Sequence, residues 1–189
     1  LRTLYNRAIR DNIVEETHYP FGRNKYTIPK TPTKKRAISK ENIKKIESLE
    51  FAPGSALWNA KNYFLFSFYT MGMNWIDMAY LKMSNIEDNR IEYIRSKTKR
   101  KTAKGFTIKI NDKIQRILDY YTKGKEKDDF IFPIIYNHNS PRTKRNRIKS
   151  HLKRYNASLR RIANICNIDQ HLTSYVARHS WATIAKKSG

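Results

Sequence analysis

Apolar positions recur at helical intervals over most of this 189-residue chain. In "LRTLYNRAIRDNIVEE" (Leu1–Glu16), Leu4, Ala8, Ile9 and Ile13 share one helical face. Further on, Ser39 stands as an N-cap before a helix with Ile43, Ile46 and Leu49 on one side. The run "ALWNAKNYFLFSFYTMGM" (Ala56–Met73) is apolar nearly all round, which predicts a central helix over Ala56–Thr70, broken by Gly72. Because Asn59, Lys61 and Asn62 lie inside it, a buried core helix fits better than a membrane span. "NWIDMAYLK" then predicts a second short helix.

At this point the period changes. "RIEYI" (Arg90–Ile94) and "FTIKI" (Phe106–Ile110) read as strands, the second alternating Phe106, Ile108 and Ile110 with Thr107 and Lys109. The cationic segment between them makes a β-hairpin with a basic tip. A helix over Asp112–Tyr121 and a polar loop follow. From Pro141, a stripe of Ile148, Leu152, Tyr155, Leu159, Ile162 and Cys166 recurs every three or four residues and faces the core, with Lys149, Lys153, Arg154, Arg160 and Arg161 opposite. A last helix holds "YVARHSWATIAKK", with Trp181 expected in the core. The expected fold is mainly α with a small antiparallel β-sheet. The proline-bearing, cation-rich stretch from His18 reads as an extended linker.

Charge narrows the function. Lys and Arg total 39 against 16 Asp and Glu, a net +23, while 39% of residues are hydrophobic and 12% aromatic. A field this positive on a chain able to build a core points to a folded nucleic-acid-binding protein. The single cysteine, Cys166, excludes a disulfide framework and a cysteine-based zinc cluster, and suits a reducing, cytoplasmic setting. No signal peptide is visible.

The sequence has no Gly-rich phosphate loop, HExxH or GxSxG pattern, and its carboxylates are too scattered for metal-nuclease chemistry. What remains is cationic. Guanidinium and ammonium groups can take the transition-state charge of phosphoryl transfer without a metal, a mobile lysine can protonate the leaving oxygen, and a tyrosine can attack the phosphorus. Arg142, Lys144, Arg145 and Arg147 can grip DNA backbone, which positions a duplex without reading its sequence.

"LTSYVARHSWAT", "FYTMGMNWIDMAYLK" and the hairpin "SKTKR" resemble, in order and spacing, the motifs of the tyrosine recombinases, the phage-integrase family, and most of all the branch carried by mobile elements of Bacteroidetes. The resemblance covers nearly the whole chain. It implies a catalytic domain over residues 39–189, preceded by the end of a core-binding domain (1–19) and an interdomain linker (20–38). It further implies double-stranded DNA as partner, a tetramer on DNA, and neither cofactor nor metal. Carried over, Arg178 is the arginine on the scissile phosphate, Lys97 the hairpin lysine (with Lys99 as rival), Asp77 the acid bracing the first motif and His179 a supporting residue. Arg95, Lys99, Arg100 and Lys101 become hairpin contacts to DNA. Two positions depart from the pattern: Asn74 stands where an arginine is usual, and Tyr175 where a histidine is usual. Both can hydrogen-bond a phosphate oxygen, and neither brings charge. The family's nucleophilic tyrosine is expected beyond Gly189.

Overall fold

The apolar run at Ala56 becomes the axis of the fold. In the computed structural model, which describes residues 1–22, 24–29, 36–97 and 105–188, it forms helix α3 (Ala56–Tyr69). Ser55 caps it by accepting from the Trp58 N–H at 3.2 Å. Asn62, Tyr63, Phe64, Leu65, Phe66 and Ser67 are all buried along it. It packs on α2 (Lys40–Ser48), α5 (Asp112–Thr122), α6 (Pro141–Ile165) and α7 (Ser174–Lys187). Full burial of a Phe such as Phe64 or Phe66 contributes about 1.5–3 kcal/mol, so this helix is the main apolar contributor.

The flanking helices start and stop where their sequences direct. Ser39 caps α2 through the Asn42 N–H, and Ile43 and Ile46 are buried. Ser140 caps α6 through Thr143, with Pro141 in the first turn. At the far end Asn167 takes φ 52° and the Ile168 N–H reaches the Ala163 carbonyl at 2.9 Å, a left-handed helix stop. Ile148, Tyr155, Leu159, Ile162 and Cys166 are buried in the expected stripe, with Leu152 partly buried. Burial raises the Cys166 thiol pKa, as befits a small core residue.

Three strands complete the fold: β1 (Ile86–Glu87), β2 (Arg90–Ile94) and β3 (Gly105–Lys109), antiparallel in the order β1-β2-β3. Asp88 and Asn89, both at positive φ, turn β1 into β2, the geometry a two-residue hairpin prefers. Ile91 pairs with Ile108 on the buried face, and Tyr93 with Phe106 further along. The architecture is mostly helical, with seven α-helices among the described residues and this small sheet.

The chain divides into two units, Leu1–Lys35 and Arg36–Gly189. In the first, α1 spans only Arg2–Arg10, shorter than its apolar spacing predicts. Asn12 at φ 55° ends it, with the Ile13 N–H on the Ala8 carbonyl at 2.8 Å. Tyr5, Tyr19, Phe21 and Tyr26 then pack edge to face.

Two expectations fail in the second unit. The segment read as a polar loop after α5 carries Phe130, Ile131, Phe132, Ile134 and Ile135, all buried. Its backbone is satisfied without regular secondary structure: the Ile131 N–H donates to the Leu81 carbonyl, Lys125 Nζ from the same segment donates to the Phe130 and Ile131 carbonyls, and Arg147 Nε donates to that of Ile134. Trp181, expected in the core, is only partly buried.

Ser180 joins α7 to the chain leading into α2. Its buried hydroxyl accepts from the Ile38 N–H at 3.0 Å and donates to the Val176 carbonyl at 2.8 Å. Ser180→Ala strands the Ile38 N–H in the core and is expected to cost about 1–3 kcal/mol in urea unfolding. Tyr155→Phe removes a buried hydroxyl that has no partner, so stability should hold or rise by up to about 1 kcal/mol. Equal losses in the two variants would contradict this account.

Candidate DNA-phosphate site

The site is built on the turn "TMGMN" (70–74) that ends α3. Thr70 Oγ1 donates to the Phe66 carbonyl at 2.6 Å, the Gly72 N–H to that of Ser67 at 2.8 Å, and Ser67 Oγ to that of Met73 at 2.7 Å. Met71 and Gly72 both sit at positive φ, 58° and 75°. At Gly72 a side chain is excluded twice over. The φ disfavours one, and a Cβ there would lie 2.8 Å from both Cα and Cγ of Arg178. Helix α7 therefore rests directly on the turn, and Arg178 Nη1 donates to the Gly72 carbonyl at 2.8 Å. Among the described residues this is the hydrogen bond that its guanidinium makes, and the group has further donors of the kind that suit an anion.

Beyond the turn, Asn74 opens α4 (Trp75–Ala79). Its carbonyl accepts from the Met78 N–H at 2.9 Å, but its side chain makes no capping bond. The amide thus stays free of helix duty. One turn on, Asp77 is buried, and its Oδ1 accepts from the Ser96 N–H at 2.8 Å. That bond ties α4 to the exit of β2 and fixes the backbone between Arg95 and Lys97. Asp77 acts as a brace, and its Oδ2 has no partner.

Arg95 is partly buried, with Cζ 5.2 Å from the centroid of the Phe106 ring, and Phe106 in turn stacks on Tyr93 at 5.7 Å. Burial raises the Tyr93 pKa and Asp77 raises it further, while Arg95 and Arg178 pull it down. Tyr93 and Asp77 also line a cleft of about 880 Å³, together with Ser96, Glu92, Tyr80 and Lys144. Sequence reasoning missed Tyr93. Its signal was the period of β2, which places it on the same face as buried Ile91 and two residues before Arg95.

Lys97 is exposed at the start of the hairpin tip. Lys99, Arg100 and Lys101 lie outside the described residues. On α7, Tyr175 is 50% exposed, so it has no core role, and its ring meets His179 edge-on at 4.6 Å. The His179 Nε2 is buried without a partner. On α6, Arg142 and Arg145 are exposed, whereas Lys144 lies over Phe130 at 5.0 Å and Arg147 over Tyr136 at 4.8 Å. Of these four cations, two are exposed and two lie over aromatic rings.

Residues 37–189 match the phage integrase family. The chain belongs to that family. Its fold is similar to the crystal structure of XerA recombinase, with a TM-score of 0.54 at 19% identity over 86% of this chain. The chain spans about half of that protein, 54% of its length. Comparison with curated proteins gives no match. The fold brings the turn at Gly72 and the α7 residue Arg178, 106 residues apart in the chain, into direct contact.

Gly72→Ala forces a Cβ into Arg178 and a disfavoured φ, so unfolding free energy should fall by about 1–3 kcal/mol or more. Arg178 should move as well, read as a shifted Arg178 Nε–Hε NMR signal. A variant with unchanged stability and signal would refute the contact.

Proposed function

We propose that this chain is the DNA-binding catalytic part of a tyrosine site-specific recombinase that integrates or excises a mobile element. The observation that carries the reading is Arg178, held by the Gly72 carbonyl on the turn that ends at Asn74 and leads into α4, which bears Asp77. In the proposed reaction Arg178 binds the non-bridging oxygens of the scissile phosphate and stabilises the charge that grows there. A tyrosine hydroxyl gives up its proton to solvent as its oxygen attacks the phosphorus. The bond to the 5′ oxygen breaks, Lys97 gives that oxygen its proton, and the strand is left on a 3′-phosphotyrosyl link. Attack by the 5′ hydroxyl of the partner strand reverses the chemistry, so no ATP or metal is needed. Asn74 and Tyr175 donate uncharged hydrogen bonds, and His179 supports Arg178 from its own helix. Arg142 and Arg145, both exposed, hold DNA backbone. Residues 1–19 would close a core-binding domain, 20–38 link it to the catalytic domain, and four copies would assemble on DNA.

A second reading is favoured by one observation, the lack of charge at Asn74 and Tyr175: an integrase relative that binds DNA without cutting it. The protein carrying this chain, incubated with a nicked suicide duplex of its recombination site, separates the two. Catalysis predicts a covalent protein–DNA adduct, reduced by about 10²-fold or more in Arg178→Ala and unchanged in Arg116→Ala on α5. No adduct in the unaltered protein would leave only DNA binding. Affinity of the chain for duplex DNA should fall steeply with salt, and Arg142→Ala should flatten the log–log slope by about one. A slope indifferent to salt would rule out backbone binding.

A further inference from the structure

The proposed phosphate pocket is short of charge. Arg178 is its one fixed cation on α7, while Asn74 and Tyr175 offer only neutral donors. Lys97 is exposed at the start of the hairpin tip and is held by no hydrogen bond or ion pair among the described residues. A pentacoordinate phosphorus carries more negative charge than the diester it comes from, and a single guanidinium is poor compensation in a partly buried site.

We propose that Arg95 is the second guanidinium of this pocket, acting with Arg178 in place of the charge that Asn74 lacks. The inference rests on the recombinase reading above. Its structural basis is the way β2 ends. Ile91 and Tyr93 lie on the more buried face of β2, and Arg95 follows directly after the strand ends at Ile94. The next residue, Ser96, is pinned to Asp77 at 2.8 Å, so the backbone under Arg95 is fixed to α4, one turn from Asn74. The planar head of Arg95 lies over Phe106, a ring that is itself stacked on Tyr93. It is partly buried and makes no ion pair or hydrogen bond among the described residues, so its donors are unspent. Ser96, beside Arg95, is held by Asp77 on α4, and Arg178 is held by Gly72 on the turn that leads into α4, so both arginines are anchored to the same short stretch of chain. Lys97, two residues on, has no such platform and is suited to moving with the leaving oxygen.

Inorganic phosphate is the probe. Titrated into this chain labelled with ¹⁵N, it should shift the arginine Nε–Hε signals of Arg95 and Arg178 along one binding curve. Arg95→Gln should weaken the phosphate response of Arg178 by about tenfold, the loss of one charge-assisted contact. Arg95→Lys should fall between that variant and the unaltered chain, and Arg116→Gln should match the unaltered chain. Backbone amide spectra confirm that each variant is folded. If Arg178 responds with the same affinity in Arg95→Gln, the inference is overturned and the recombinase reading stands. If Arg178 does not respond in the unaltered chain, both are overturned.

Discussion

The contact between Gly72 and Arg178 is the constraint on which the rest of the site depends. A helix can lie against a turn this closely only where the turn has no side chain, and the turn can take φ 75° cheaply only at glycine. Once α7 is seated there, Arg178 finds the Gly72 carbonyl, Ser180 two residues on finds the Ile38 N–H, and Val176 and Ala177 fill the core. The same turn starts α4 and so sets where Asp77 reaches Ser96. A single backbone approach thereby locates groups from α7, α4 and the exit of β2.

The second theme is how a chain of net charge +23 stays folded with few carboxylates. Among the described residues there are three ion pairs, and the best formed, Lys113 with Glu47 at 2.7 Å, is partly exposed. Most anchored cations use backbone carbonyls or rings instead. Lys61 donates to the Glu47 and Leu49 carbonyls at the end of α2, Lys125 and Arg147 to the buried segment around Ile134, and Arg178 to Gly72. Burial lowers the pKa of Lys61 and Lys125, the cost of using a cation this way. A carbonyl orients a cation without cancelling its charge. The stabilising contacts therefore leave the positive field intact for a polyanion, whereas carboxylate partners would have erased it.

Much of this was legible in the sequence because it is local. Caps at Ser39, the all-round apolar character of α3, the α6 stripe and the alternation of β2 and β3 are all set by neighbours in the chain. The failures share a cause. The buried segment from Phe130 to Ile135 has no helical or strand period, since Lys125, Arg147 and the Leu81 carbonyl satisfy its backbone in place of regular secondary structure. Asn12 ends α1 through a left-handed φ that the apolar spacing does not reveal. Trp181 sits in a helix whose apolar residues do not mark one clean face. Within the candidate site, Arg178 and Asp77 stood out by motif resemblance, whereas Tyr93 had only the period of β2 to mark it, a signal that any core-facing strand residue shares.

Asn74 makes no capping bond and brings no charge to the candidate site. A motif position matters for the charge it delivers to a point in space, and the fold offers several backbones from which that point can be reached. The exit of β2 is one of them, fixed by a bond that Asp77 makes to a backbone N–H, so its hold does not depend on the side chain at Ser96. A cation presented from there is rigid for the same reason Arg178 is rigid: its backbone is fixed by a partner from another element, and its head is oriented by a flat surface or a carbonyl. The geometry around Asn74 is independent of its side chain, because neither the turn at Gly72 nor the bond from Asp77 to Ser96 uses it.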